Sequence, residues 1–319
     1  MKKIGVLTSG GDAPGMNAAI RSVVRCALYN KLEVKGICRG YAGLLNEEIK
    51  EMDHRSVSNI LNRGGTILKT DRSEEFKTEA GQKKAVEVIK KNNIDALVLI
   101  GGDGTYEGGG ALTMKWGIPC IGVPGTIDND ICGTDFTIGS DTAVNTALEA
   151  IDKIRDTATS MERIFVVEVM GNKSGYIAMQ VALGGGAEDV LIPERKFDIS
   201  SMYRDVVEGN KRGKNSWIII IAEGVGKAED IAKDVTVQTK LETRVAVLGH
   251  VQRGGSPTAN DRILATRLGA AAVELLIKGE SGKVVGVVAD KINVVDFKTA
   301  CERRVHLLDE LYGLSKILT

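Results

Sequence analysis

Short runs of β-branched and aliphatic residues recur along the chain: KKIGVLTSGGD, IDALVLIGGDG, PCIGVPGTIDND, RIFVVEVMGNKSG, SWIIIIAEGVG, TRVAVLGHVQRGG and KVVGVVADK. Each ends in glycine or a polar cluster and is followed by a stretch with helical spacing, the alternation of an α/β fold built on mainly parallel sheets. Within the runs the apolar residues are continuous, which predicts strands covered on both faces. Helices are predicted over Met16–Tyr29, Lys83–Asn92, Asp141–Asp156 and Asp261–Ile277. Ligands of such sheets sit beyond the carboxyl ends of the strands, where this sequence gathers its Gly, Asp, Thr, Arg and His residues.

A chain of 319 residues exceeds the size at which one hydrophobic core stops growing. The expectation is two lobes, each a mainly parallel sheet covered by helices, with the active site in the cleft between them. Lys plus Arg and Asp plus Glu both number 42, so no global field attracts nucleic acid or an acidic membrane, and anions must be bound by local clusters. No stretch approaches the roughly 20 apolar residues of a bilayer span, and the N-terminus enters a strand-like run directly; a soluble, cytoplasmic protein is expected. The five cysteines show no CxxC spacing and are read as reduced core thiols.

Three glycine-rich segments carry the candidate chemistry. TSGGDAPGMNAA (Thr8–Ala19) follows a strand and opens a helix, so Gly10 and Gly11 would let a phosphate approach backbone N–H groups at the helix start, or would form an ordinary tight turn. GGDGTYEGGG (Gly101–Gly110) reads as a loop around a nucleotide phosphate, with Asp103 between glycines as a magnesium ligand, or as a structural turn; Mg²⁺ needs only one or two protein carboxylates. PGTIDND (Pro124–Asp130) puts two carboxylates one residue apart on the same side of an extended backbone, so that one can accept a hydroxyl proton while the other helps place the metal. The alternative there is an Asx-turn cluster. A GxxxxGK[ST] loop is missing from the sequence, so the phosphates must be held otherwise. Arg72, Arg163, Arg244 and Arg253 lie beside strand ends, where guanidinium forks grip phosphate, and His250 near Arg253 suits a sugar phosphate or a buried structural role.

Taken together, TSGGDAPGMNAA, GGDGT, PGTIDND, AIDKIRDTA, AEGVG and RVAVLGHVQRGGSPTANDR resemble, in order and along nearly the whole chain, the bacterial ATP-dependent 6-phosphofructokinases. The resemblance implies a large nucleotide-binding lobe (1–139 plus 252–302), a smaller sugar-phosphate lobe (140–251 plus 303–319), and a homotetramer with active sites shared between neighbours. It implies Asp128 as general base toward the 1-hydroxyl of fructose 6-phosphate, Thr126, Asp130 and Arg72 beside it in catalysis, and Asp103 as Mg²⁺ ligand. Gly11, Arg72, Ser73, Gly102, Asp103, Gly104 and Thr105 match ATP-contacting positions. Thr126, Ile127, Asp128, Met170, Gly171, Asn172, Glu223, His250, Val251, Gln252 and Arg253 match the sugar-phosphate site, which Arg163 and Arg244 would reach from the adjacent subunit. An effector site for ADP and phosphoenolpyruvate is implied at Arg21, Ser22, Val23, Val24, Arg25, Arg155, Gly186, Ala187, Glu188, Arg212, Lys214, Asn215 and Ser216.

Pyrophosphate-using relatives typically carry Asp and Lys where this chain has Gly104 and Gly125; small residues leave room for adenosine and the α-phosphate, which favours ATP. Two departures stand out. Asn172 occupies a position where the family usually has Arg, with Lys173 following, and Asp71 and Glu74 add negative charge beside Arg72. GGDGT alone would also suit a lipid or NAD kinase, against which PGTIDND and HVQRGG argue, and Asn172 leaves room for a catalytically weak regulatory relative.

Overall fold

The computed structural model describes residues 1–196, 198–302 and 308–318. In chain order its elements are β1 (Lys3–Thr8), α1 (Met16–Tyr29), β2 (Glu33–Ile37), α2 (Gly40–Leu45), β3 (Ile49–Met52), α3 (Glu79–Lys91), β4 (Ala96–Gly101), α4 (Asp103–Trp116), β5 (Cys120–Thr126), β6 (Ile138–Gly139) and α5 (Ser140–Met161). They continue as β7 (Ile164–Val169), α6 (Tyr176–Gly185), β8 (Asp189–Leu191), α7 (Ile199–Lys211), β9 (Trp217–Ala222), α8 (Ala228–Thr239), β10 (Thr243–Val247), α9 (Ala259–Ile277), β11 (Lys283–Val288), β12 (Lys291–Asp296), α10 (Phe297–Ala300) and α11 (Leu308–Leu318). The described residues fall into two compact units, one within Met1–Ile127, Ile131–Thr142 and Arg253–Arg304, the other within Asp128–Asp130, Ala143–Gln252 and Val305–Thr319.

The first unit is built on a sheet of order β12-β11-β5-β4-β1-β2-β3, with β6 added at the end of β5. Its centre is parallel, while the β2–β3 and β11–β12 pairs are antiparallel. Every residue of β4 is buried, as a continuous apolar run predicts for a strand with helices on both faces. Helix α9 packs on α1 at a point where Gly269 leaves the space: a Cβ there would stand 2.8 Å from Ser22 Cβ. The Ser22 hydroxyl closes the contact by donating to the Thr266 carbonyl at 2.6 Å.

The second unit holds a four-stranded parallel sheet of order β10-β7-β9-β8. The isoleucine run of β9 is wholly buried. TRVAV was expected to be covered on both faces but is half-exposed, because β10 is an edge strand. The predicted helices form: α1 has the expected limits, whereas α3 starts earlier, at Glu79 behind its Thr78 cap, α5 runs over Ser140–Met161, and α9 starts at Ala259 behind Thr258. Of the five cysteines, all free, only Cys120 is fully buried, so the expectation of core thiols holds for one and the other four sit half-buried.

Candidate active site

Three neighbouring parallel strands bring the three glycine-rich segments to one edge of the first unit's sheet. Thr8 of β1 is in register with Ile100 of β4, and Gly101 of β4 with Pro124 of β5, so TSGGD, GGDGT and TIDND all leave the carboxyl ends of adjacent strands. Their backbones approach closely: a Cβ on Gly101 would collide with Thr105 Oγ1 and Ser9 O, and one on Gly102 would stand 3.9 Å from Thr126 Cβ.

GGDGTYEGGG is not the extended loop expected. Gly101 ends β4 and Asp103 already opens α4, so the turn is Gly102 alone, at the N-cap. Gly108 and Gly109 lie inside the helix because the rings of Tyr41 and Phe297 and the Leu99 side chain press against them. Asp103 is exposed and accepts the Gly104 N–H at 2.6 Å through Oδ1, a carboxylate at the positive end of a helix. Thr105, expected among the ATP contacts, is instead buried: its hydroxyl donates to Ser9 O at 3.1 Å and ties the first turn to the second. A Cβ at Gly104 would meet nothing within 4 Å, which fits the argument from room. At Gly125 it would stand 3.1 Å from Met16 and from Ile100, so that glycine serves core packing rather than nucleotide space.

The PGTIDND carboxylates do not lie on an extended backbone. β5 ends at Thr126, and the buried Asn129 is left-handed at φ 50°, so strand alternation stops before Asp128. Asp128 and Asp130 are half-buried on either side of it. Ile127, placed at the sugar site, turns its side chain into the core, where its Cγ2 lies 3.3 Å from the Cβ position of Gly139.

Gly11 faces Arg253 rather than open space. The arginine Nη2 is 2.9 Å from Asp12 Oδ1 and fills the place a Gly11 Cβ would take. Arg72 is exposed. The carboxylates expected to compete for it are engaged elsewhere, Asp71 accepting the backbone N–H of Arg72 at 2.8 Å and Glu74 pairing with Lys77 at 2.7 Å. Ser73 Oγ accepts the Phe76 N–H at 3.2 Å.

In the second unit, Glu223 Oε1 accepts the N–H groups of Gly171 (3.2 Å) and Asn172 (2.6 Å) beyond the end of β7. Asn172 is left-handed at φ 54°, a conformation asparagine tolerates better than arginine. Gln252 is wholly buried, its Oε1 accepting the Met170 N–H at 2.9 Å while Nε2 finds no partner among the described residues. His250 is exposed, which removes the buried structural role, and Val251 beside it is 61% exposed. Arg163 and Arg244 converge on Glu242, a carboxylate the sequence reading missed: Arg163 Nε is 3.1 Å from Oε2 and Arg244 pairs with Oε1. Their strands β7 and β10 are adjacent, a relationship only the sheet order reveals.

The expected effector residues divide. Within the second unit, Arg155 donates to Gly185 O (2.7 Å) and Gly186 O (2.6 Å), and the buried Glu188 lies 3.8 Å from Arg155 Nη1 and 3.2 Å from Lys214 Nζ. Ala187 is buried, Arg212 is exposed and pairs with Glu208, Asn215 donates to Glu162, and Ser216 is half-buried. In the first unit, Arg21 and Arg25 are half-buried on α1, the Arg25 Nε being buried without a partner among the described residues. Ser22, Val23 and Val24 are buried.

Acidic residues and glycine turns at the carboxyl ends of adjacent parallel strands define a phosphotransferase of the α/β class. The sequence model of the phosphofructokinase family matches residues 3–276. The chain is 55% identical over 320 residues to the ATP-dependent 6-phosphofructokinase of Bacillus cytotoxicus and 54% identical over 319 residues to that of Bacillus subtilis, with 100% of both chains covered in each case. Among solved structures, phosphofructokinase from Saccharomyces cerevisiae aligns with a TM-score of 0.87 at 36% identity over 95% of this chain, which spans 45% of the yeast chain. A pyrophosphate-dependent phosphofructokinase from Marinobacter aquaeolei shares the fold, with a TM-score of 0.85 at 23% identity, covering 97% of this chain and 86% of that one. The chain belongs to the phosphofructokinase family and is an enzyme, a sugar-phosphate kinase.

Proposed function

We propose that the chain is an ATP-dependent 6-phosphofructokinase, which moves the γ-phosphoryl of MgATP onto the 1-hydroxyl of fructose 6-phosphate and releases ADP and fructose 1,6-bisphosphate. The observation that carries this reading is the register of β1, β4 and β5, which brings the turns carrying Gly11, Asp103 and Thr126 to one sheet edge. Asp128 takes the hydroxyl proton, with Thr126, Asp130 and Arg72 beside it. Gly11, Arg72, Ser73 and the Gly102–Thr105 turn receive the nucleotide, the last through backbone groups at the start of α4.

The residues fit a magnesium ion. Asp103 offers a hard, exposed carboxylate at the nucleotide turn. That suits an ion held largely by phosphate oxygens and water. When bound, it neutralises charge on the phosphates.

The sugar phosphate is received by Met170, Gly171, Asn172, Glu223, His250 and Arg253, and by Arg163 and Arg244 of a neighbouring subunit in a homotetramer. ADP and phosphoenolpyruvate act at the site carrying Arg21, Arg25, Arg155, Glu188, Arg212 and Lys214. The proposed enzyme is cytoplasmic. Among the described residues no helix is long and apolar enough to cross a membrane. The test is the initial rate of fructose 1,6-bisphosphate formation with Mg²⁺, fructose 6-phosphate and either ATP or pyrophosphate. Product with ATP alone is expected; product with pyrophosphate alone would overturn the donor, and product with neither would overturn the reaction.

A further inference from the structure

We infer that Asp261 is a positioning residue for phosphoryl transfer, a buried carboxylate that braces the strand end leading into Asp128. The inference rests on the role given above to the Thr126–Asp130 segment. Asp261 is 1% exposed and lies in the first turn of α9, remote in sequence from everything it holds. Its Oδ1 accepts the Gly139 N–H at 2.8 Å, and its Oδ2 accepts the Thr142 N–H at 2.8 Å and the Thr142 hydroxyl at 2.5 Å.

Those donors belong to the short segment that supports the transfer turn. Gly125 and Thr126 of β5 pair in parallel with Ile138 and Gly139 of β6. Thr137 Oγ1 donates to the Thr126 carbonyl at 2.6 Å, and a Cβ at Gly139 would stand 3.3 Å from Ile127 Cγ2. The chain therefore enters Asp128 from two residues that each contact the 137–142 segment, and Asp261 anchors that segment through three bonds.

The circuit closes on α9 itself. Thr258 caps Asp261, its own N–H donates to Thr142 Oγ1 at 3.0 Å, and its hydroxyl bonds Asp141 Oδ2 at 2.5 Å. Only a carboxylate serves at position 261, because three donors converge on acceptor-only oxygens; the amide of Asn offers one acceptor oxygen and turns N–H groups toward donors already there. A carboxylate that merely capped the start of α5 would contribute to stability alone. What sets Asp261 apart is that the segment it caps is also the sheet partner of Thr126.

The test compares Asp261→Asn, Thr142→Val and Thr142→Ser with the wild type in kcat, in KM for ATP and fructose 6-phosphate, in thermal unfolding and in hydrogen exchange of the 124–142 region. Asp261→Asn is expected to lower kcat at least tenfold while both KM values stay within about threefold, with a cooperative unfolding transition retained. Thr142→Val, which keeps the shape and removes the hydroxyl, should lower kcat in the same direction, and Thr142→Ser should restore it. Exchange at Gly139 and its neighbours should rise in both defective variants. Folded variants with wild-type kcat and a lowered melting temperature would reduce Asp261 to a stabilising cap and overturn the inference. If Asp261→Asn does not fold, Thr142→Val decides by the same criteria. Wild-type protein that makes no product would count against the proposed reaction, whereas the exchange measurement still tests the brace; exchange unchanged in the variants would overturn it.

Discussion

The guanidinium of Arg253 rests on Asp12, with Nη2 2.9 Å from the carboxylate Oδ1 and Nε 3.4 Å from the main-chain carbonyl of the same residue. Gly11 makes the approach possible by having no side chain where the fork lies. Arg253→Ala should raise the KM for fructose 6-phosphate about 10- to 100-fold, the equivalent of the roughly 1.5–3 kcal/mol of a charge-assisted hydrogen bond. Gly11→Ala should shift the same parameter by displacing the guanidinium. In steady-state kinetics the double variant should be little worse than the poorer single one, because both lose one contact; strict additivity would assign Gly11 to the nucleotide alone.

In the proposed reaction Asp128 takes the hydroxyl proton and does not hold substrate. Asp128→Asn should lower kcat by about 10²- to 10⁴-fold, the usual contribution of a general base, with KM values near those of the wild type. Turnover within tenfold of the wild type would remove it from that role.

Glu242 holds both Arg163 and Arg244 in the structure, so it competes with any phosphate the two arginines bind. The pairs are partly exposed, so each is worth only ~0.2–1 kcal/mol. Glu242→Gln should therefore lower the KM for fructose 6-phosphate roughly two- to fivefold at low salt, with a smaller effect at high ionic strength. A raised KM would mean that Glu242 orients the arginines for substrate.

At Asn172 the backbone is left-handed, with φ 54°. Asn172→Arg should cost about 1–2 kcal/mol and lower the melting temperature by about 2–6 °C, whereas Asn172→Gly should not. Calorimetry of the two variants distinguishes this backbone effect from a loss of side-chain contacts.

Burial pushes the Cys120 thiol from its ordinary 9.0 up to about 12. With the folded pKa raised, the folded and unfolded chains both hold the proton below pH 9, and only the folded chain holds it between pH 9 and 12. The contribution of this group is therefore complete below pH 9 and is lost as pH rises toward 12. Cys120→Ala should flatten the alkaline fall in melting temperature over that window, and Cys120 should resist alkylation in the native protein at pH 8.

The continuous apolar runs located the central strands, since a strand covered on both faces needs apolar residues at every position, and β4 and β9 are buried throughout. The same rule misread TRVAV, because an edge strand and a central one carry the same apolar letters and differ only in what lies beside them. It also passed over β6, two residues long and defined wholly by its pairing to β5.

Several site residues changed character for a similar reason. Thr105, Ile127, Ser22, Val23 and Val24 belong to functional motifs by position, yet their side chains face inward. A motif records which residues are near a ligand along the chain, whereas burial is set by helix and strand orientation. Glu242 and Asp261 carried no local signal, because the partners that give each its meaning lie on other elements.

The sequence by itself determined the α/β alternation, the order of the glycine-rich turns and the acidic residues at strand ends, because these rest on local backbone chemistry and on hydrophobic periods that neighbouring residues encode. The tertiary structure decided which carboxylate meets which arginine, which glycine serves a core and which a turn, and that Asn129 breaks the extended path between Asp128 and Asp130. Those outcomes depend on which strands lie side by side and which helices cross, relationships between residues far apart along the chain, set by packing the whole core at once.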